Sequence, residues 1–314
     1  MDYQYLFGPV PSRRLGISLG IDLVPAKVCS FNCSYCEVGV TTQLTLERRE
    51  YMPADEIIAE LDDYLASAPE LDTITFSGAG EPTLNSGIGR IIAYIKDRYP
   101  DYRLALITNS SLLDDPRLRA EIAPIDLILP SLDAVSDSVF RRLNRPHPKL
   151  DSASISAGLT AFRQESQAEM WLEIFLAPGL NDSEAELARL KQACQQIAPE
   201  RVQLNSLDRP GVEVGLRSMS ATEMEQVAAF LQPLPVEIIA RFTGPAGASP
   251  GNQNSADQIL ATIRRRPCTD QDLAASFGLH INELNKYLAE LLKQGLVRER
   301  RESRGIFFEP ARKK

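Results

Sequence analysis

The chain has 314 residues, 44% hydrophobic and 24% charged, enough apolar material for a sizeable core and enough length for two domains. No uninterrupted apolar run approaches the ~20 residues that a membrane span needs, and the opening Met1-Asp2-Tyr3-Gln4-Tyr5 lacks the basic-then-apolar start of a signal peptide. The 34 Lys and Arg against 42 Asp and Glu leave a net −8, yet residues 255–314 hold 12 basic and 8 acidic residues, +4 there and −12 elsewhere, so a nucleic-acid surface is expected in the tail rather than the body.

In chain order, β-rich apolar runs fall at Gly16–Val24, Asp72–Ser77, Arg103–Thr108, Asp126–Ser131, Met170–Leu176, Arg201–Ser206 and Val236–Ala240. Between them lie amphipathic stretches at Pro53–Leu65, Ile88–Tyr99, Asn181–Ile197 and Ala221–Leu231, the first with Ile57, Ile58, Leu61 and Leu65 at helical spacing. Pro53 suits a first helical turn, and Asn181 with Glu184 three residues on suits an N-cap. Strands alternating with helices predict an α/β fold, a parallel sheet with crossover helices, as an open barrel or a doubly wound sheet. In either, chemistry is expected at the carboxyl ends of the strands. The Gly/Pro-rich Thr243–Ser255 reads as a linker, giving one domain over 1–242 and a second over 256–314.

Just past the first strand stands Cys29-Ser-Phe-Asn-Cys33-Ser-Tyr-Cys36, three thiols within eight residues on a loop at the expected active-site end. Such local thiolates hold iron–sulfur clusters, and three of them leave one iron of a four-iron cube open to another ligand. A zinc site would need a fourth ligand from His147 or His280, and a disulfide would leave an odd thiol. Cys194, inside an amphipathic stretch, and Cys268, beyond the linker, are expected to be packed. Five cysteines so spaced are no disulfide scaffold, and the reducing cytoplasm is the expected compartment.

The Cys29-x3-Cys33-x2-Cys36 loop, with Tyr35 before the last cysteine, resembles the signature of the radical S-adenosylmethionine (radical SAM) superfamily. The resemblance extends over roughly residues 7–240. Gly78-Ala79-Gly80-Glu81 resembles the family's Gly-Gly-Glu motif; Thr108-Asn109, Ser131-Leu132-Asp133, Glu173 and Asn205 fall at later strand ends. The resemblance implies a partial (β/α)6 TIM-type barrel, a [4Fe–4S] cluster on Cys29, Cys33 and Cys36, and S-adenosyl-L-methionine as second cofactor. It further implies that Gly78, Ala79, Gly80 and Glu81 meet the cofactor's amino group, with Glu81 as its acceptor. Tyr35 would lie against the adenine, while Asn109, Ser131, Asp133, Glu173 and Asn205 would make ribose, carboxylate or adenine contacts. One-electron chemistry implies an external low-potential donor, flavodoxin or ferredoxin.

Phe7-Gly8-Pro9-Val10-Pro11-Ser12-Arg13-Arg14-Leu15-Gly16, with Arg145-Pro146-His147, is similar to a bacterial group related to tRNA wyosine synthases. Those enzymes carry extra upstream cysteines, which are absent before Cys29 here. Arg13 and Arg14 are expected near the barrel mouth, either holding a substrate anion or as a salt-bridged surface pair.

In the tail, amphipathic Ala256–Arg265 precedes two helical stretches, with Thr269 as N-cap and Gly278 as the turn between them. A hairpin over 296–308 follows, carrying Arg298, Arg300, Arg301 and Arg304. This resembles a winged helix-turn-helix domain, whose wing could contact phosphates. The expected substrate is unidentified, with tRNA named as a candidate; a peptide, a small metabolite, or a non-catalytic DNA-binding role remain as alternatives. No catalytic acid or base is assigned.

Overall fold

A computed structural model of the chain describes residues 3–12, 14–239, 256–279, 281–302 and 304–311. The expected linker at 243–255 lies outside these residues, as do Arg13, Ala240 and His280. The chain divides into two units: one of 1–207 with 212–240, the other of 208–211 with 241–314. The second unit therefore takes in a short excursion of the first, Asp208–Gly211, that the linker boundary did not foretell.

The first unit is built on an eight-stranded sheet: β1 (Leu6–Ser12), β2 (Gly16–Asp22), β3 (Thr73–Ser77), β4 (Leu104–Thr108), β5 (Leu127–Pro130), β6 (Glu169–Leu176), β7 (Arg201–Ser206) and β8 (Val236–Ile238). The strands lie side by side in chain order. All neighbouring pairs are parallel except β1–β2. Helices cross over between them: α1 (Ala54–Leu65), α2 (Ile88–Arg98), α3 (Pro116–Ile122), α4 (Asp137–Leu143), α5 (Ser152–Glu165), α6 (Glu184–Ile197) and α7 (Ala221–Leu231).

Side chains alternate across the strands. One set, including Leu19, Ile21, Ile74, Phe76, Leu172 and Leu204, joins the apolar faces of the helices in one large core. The other set faces inward, where Ala105, Leu127, Leu129 and Trp171 form a second cluster with Leu15. Leu15 precedes β2, whereas Trp171 lies on β6. Four strand spacings would separate them by ~19 Å in a flat sheet. Arg14, next to Leu15, nevertheless ion-pairs with Glu173 of the same strand as Trp171, so the sheet curls round its inner face.

β1 is absent from the sequence-based expectation because Pro9 and Pro11 break the strand pattern. It forms because β1 is an edge, pairing with β2 alone, where missing N–H groups cost little. Helices α3, α4 and α5 fall where none was expected. Two of them are seven residues long, and α5 carries three Ser and one Gly among its 14 residues. A Cβ on Gly158 of α5 would come within 2.6 Å of the Leu113 backbone carbon, so close packing, not propensity, dictates that residue. Asp115 and Asp151 cap α3 and α5 through Arg117 N and Ser154 N. Ser183, not Asn181, caps α6, accepting from Glu186 N. Asn181 is fully buried, bridging Ala177 N, Asp133 O and Phe175 O.

The second unit holds α8 (Ala256–Arg265), β9 (Cys268–Thr269), α9 (Asp270–Phe277), α10 (Ile281–Lys293), β10 (Val297–Glu302) and β11 (Gly305–Pro310). Its sheet runs β9–β11–β10 and its core includes Ile259, Ile263, Leu273, Leu284, Leu288 and Phe308. Thr269 forms a reciprocal capping box with Asp272, and Gly278 ends α9 at φ 61°, both as the sequence suggested. Cys194 and Cys268 are buried, as expected. Among the described residues, no helix is long and apolar enough to cross a membrane.

Candidate functional site

The cysteine loop leaves the carboxyl end of β2, and the parallel register brings the ends of β3 to β7 to the same side. Hydrogen bonds to the segment after α4 fix the loop: Ser34 N donates to Leu143 O at 2.8 Å, Asn32 N to Asn144 O at 3.1 Å, and His147 N to Ser30 O at 2.8 Å. Thr41 completes the wrap, its hydroxyl donating to Phe31 O at 2.7 Å.

Cys29, Cys33 and Cys36 are unbridged and partly accessible. Burial raises the Cys29 thiol to about 12 and the Cys33 thiol further above its ordinary value, and the neighbouring thiols of Cys36 and Cys29 add to the push on Cys33. A bound metal would favour their deprotonation. Each sulfur already faces a nitrogen donor: Cys29 Sγ lies 3.4 Å from Asn109 Nδ2, Cys33 Sγ 3.8 Å from Asn144 Nδ2, and Cys36 Sγ 3.0 Å from Lys27 Nζ. Donors aimed at sulfur suit metal-bound thiolates. Asn144 supplies a second sign: although only 2% exposed, its Oδ1 has no hydrogen-bond partner among the described residues. An orphaned acceptor so deeply buried is costly unless a bound group supplies the donor. Among the described residues, no three His, Cys, Asp or Glu close on a single metal ion. A cube, which holds its thiolates farther apart than one ion does, suits this donor set.

The Gly78–Glu81 turn packs directly against the loop. A Cβ on Gly80 would come within 2.2 Å of Val28 O, and one on Gly78, at φ 129°, within 2.1 Å of Asp22 Oδ1. These glycines are thus required first by the chain's own packing. Ala79 O accepts from Lys27 N at 2.7 Å, tying the turn to the cysteine loop. Glu81 is 1% exposed. Its Oε1 accepts from Thr83 N at 3.1 Å, Thr83 Oγ1 at 2.6 Å and Thr108 Oγ1 at 2.7 Å, and its Oε2 from Asn109 N at 2.8 Å. The carboxylate joins the ends of β3 and β4, because four donors from the chain already surround it. Burial nevertheless raises its pKa, against the pull of those donors.

Tyr35 is likewise engaged by the chain itself. Its ring stacks on Phe175 at 3.8 Å and 11°, and its hydroxyl donates to Asp133 Oδ2 at 2.5 Å, so one ring face and the polar tip are taken. Asp133, 3% exposed, also accepts from Phe175 N at 2.9 Å and Asn144 Nδ2 at 2.6 Å. Burial lifts its pKa to about 6 despite these donors. Asp133 therefore binds Tyr35, Phe175 and Asn144 into one buried group.

Asn109 contacts the cysteine loop through Cys29 and through Ser30 Oγ at 2.9 Å. Ser131, at the end of β5, bridges Glu173 through backbone, and Asn205 Oδ1 accepts from Ser206 N at 3.0 Å. Glu173 is ion-paired with Arg14, whose Nη1 lies 3.4 Å from Gln203 Oε1. Because β1 runs antiparallel, the β1–β2 turn that carries Arg14 sits where β2 begins, while its partner Glu173 lies level with Ser131 at the end of β5. Lys27, Asn144 and Phe175 were not singled out in the sequence. Only Asn144, beside the noted Arg145-Pro146-His147, had a local signal.

In the second unit, Arg298 pairs with Glu309 at 2.6 Å, Arg300 with Glu302 at 2.7 Å, and Arg304 with both Asp208 and Asp272. Of the four arginines expected to meet phosphates, Arg301 alone lacks an ion pair among the described residues.

Residues 23–190 match the family model described as Radical SAM superfamily. The chain is 34% identical over 295 residues to a protein of Brachyspira hyodysenteriae described as GTPase Obg, covering 94% of this chain and 43% of that one. It is 31% identical over 269 residues to a UPF0026 protein of Helicobacter pylori, covering 85% and 86%. Among solved structures it is similar to a radical SAM methyltransferase from Sphaerobacter thermophilus, with TM-score 0.54 and 19% identity over 70% of this chain and 65% of that one. At that identity the likeness is one of fold.

Proposed function

This chain belongs to the radical SAM superfamily, whose enzymes use a [4Fe–4S] cluster and S-adenosylmethionine, and from that premise we propose that it cleaves S-adenosylmethionine reductively to modify an organic substrate by hydrogen abstraction. When bound, the cluster supplies the electron that breaks the sulfonium carbon–sulfur bond, yielding methionine and a 5′-deoxyadenosyl radical. The observation that carries the reading is the set of three unbridged thiols, each faced by its own nitrogen donor, beside the Gly78–Glu81 turn.

Cys29, Cys33 and Cys36 would hold the cluster, and Lys27, Asn109 and Asn144 orient their sulfurs. Glu81 and Asp133 fix the strand ends on either side. The exposed backbone of the turn at Gly78 is the surface offered to the methionyl group. Tyr35, stacked on Phe175, is the aromatic residue of the loop that an adenine would meet. Trp171, Leu129 and Ile107 keep the inner face of the curled sheet, read here as a partial barrel, apolar, which excludes water from it. Radical SAM enzymes need a reductant; a one-electron carrier such as flavodoxin or ferredoxin would fill that role. The test is anaerobic reconstitution followed by dithionite. Formation of 5′-deoxyadenosine by the wild type, and its loss with the cluster in Cys→Ala variants, is expected; a reconstituted protein that never cleaves the cofactor favours a regulatory role instead.

The arrangement of the second unit supports reading it as a winged helix. Its positive balance, set against the acidic body, favours RNA as the substrate, with tRNA among the candidates. Binding of tRNA to the full chain should weaken steeply as salt rises. Binding that is absent or salt-independent overturns this reading and favours a peptide or small-molecule substrate.

A further inference from the structure

Lys27 is only 8% exposed and has φ 64°, the left-handed region where a lysine is strained. Its backbone explains how that conformation persists. The N–H donates to Ala79 O at 2.7 Å, and the carbonyl accepts from Thr42 N at 3.1 Å and Gln43 N at 3.2 Å. Lys27 is thus clamped between the Gly78–Glu81 turn and the strand pair formed by Val28–Cys29 and Gln43–Leu44.

The clamp delivers the side chain to one place. Nζ lies 3.0 Å from Cys36 Sγ, and among the described residues no carboxylate pairs with it. A buried ammonium without a counter-charge is costly. A metal-bound thiolate supplies the missing negative charge. The other two sulfurs face neutral carboxamides, Asn109 and Asn144, so Cys36 alone receives a full positive charge.

We infer that Lys27 is a positioning residue that sets the reduction potential of the cluster, its ammonium stabilising the more negative, reduced form through Cys36. This rests on the three cysteines holding a cluster. Reduction adds one electron to the cluster, and a nearby cation in a poorly solvated site favours the added charge. The charge-assisted hydrogen bond to sulfur acts in the same direction. Strain at a non-glycine residue, repaired by three backbone hydrogen bonds, fits a side chain placed for a purpose rather than for packing.

The test compares wild type, Lys27→Met, Lys27→Gln and Lys27→Arg, each reconstituted anaerobically in the full chain. Iron and sulfide are counted, and the midpoint potential is read by EPR during a mediated redox titration. Lys27→Met and Lys27→Gln should shift the potential to more negative values, while Lys27→Arg stays close to wild type. Met or Gln variants with a full cluster and an unshifted potential overturn the inference. If Met and Gln lose the cluster while Arg keeps it, a role for the charge in holding the site is supported; loss in all three overturns it. A wild type that takes up no cluster defeats the underlying functional reading instead.

Discussion

The guanidinium of Arg14, carried on the turn between β1 and β2, is ion-paired with the carboxylate of Glu173 on β6. Their side chains are 18% and 19% exposed, and Gln203 Oε1 lies 3.4 Å from the same nitrogen. A residue from the edge hairpin thereby crosses the inner face of the sheet to the strand that carries Trp171.

Removing one partner of this pair should be felt as a buried charge left uncompensated. Arg14→Met should destabilise the protein by about 2 kcal/mol, between the values for exposed and buried pairs. Pairing it with Glu173→Leu should cost less than the sum of the two single changes. Urea unfolding of the three variants measures both. Additive losses would mean that the pair contributes nothing as a pair.

Glu81 makes a second prediction. Glu81→Gln keeps the volume but turns an acceptor toward donors into an amide that must itself donate. A loss of about 3 kcal/mol is expected, from the range for unsatisfied buried groups and charged hydrogen bonds. Hydrogen exchange at the Thr83 and Asn109 amides, which both donate to this carboxylate, should quicken. Unchanged protection there would mean that Glu81 is not what joins the strand ends.

Asp133 carries a pH dependence. Its pKa is raised from 3.8 to about 6 by burial, so the folded state holds the proton more tightly than the unfolded chain. The stability it confers is complete below the unfolded pKa and is lost as pH rises through about 6. That loss amounts to about 3 kcal/mol for a fully buried group, at ~1.4 kcal/mol per pKa unit. Asp133→Asn removes the titration, so the stability advantage of the apoprotein over this variant should shrink between pH 4 and pH 7. Parallel stability curves over that range would refute the assignment.

Iron content separates the five cysteines. Alanine at Cys29, Cys33 or Cys36 should abolish the cluster's visible absorbance after reconstitution, while alanine at buried Cys194 or Cys268 should leave about four irons per chain. The buried pair should cost about 1 kcal/mol each in stability, as small packed side chains do.

Much of this was legible because it is local. The three cysteines lie within eight residues, the strand runs alternate with helices in sequence, and Thr269 and Gly278 signal their turns by side-chain chemistry and glycine's freedom. β1 was hidden because its two prolines are tolerated only at an edge, and being an edge is a property of the whole sheet. Helix α5 was hidden because its Ser-rich sequence, with Gly158 in its middle, is held by a close approach to Leu113 rather than by propensity.

The sequence by itself determined the thiol triplet, the order of strands and helices, and the end of the sheet where chemistry belongs. Tertiary structure alone decided which polar groups are available there. Glu81, Asp133, Glu173 and Tyr35 look equally free as letters, yet each meets partners tens to more than a hundred residues away, whose positions depend on the curl of the sheet. Conversely, Lys27 is an unremarked lysine until a left-handed backbone and its hydrogen bonds to Ala79 and Gln43 bring its ammonium to Cys36. Covalent spacing fixes which donors can cluster, but hydrogen-bond capacity is shared out only when distant segments meet.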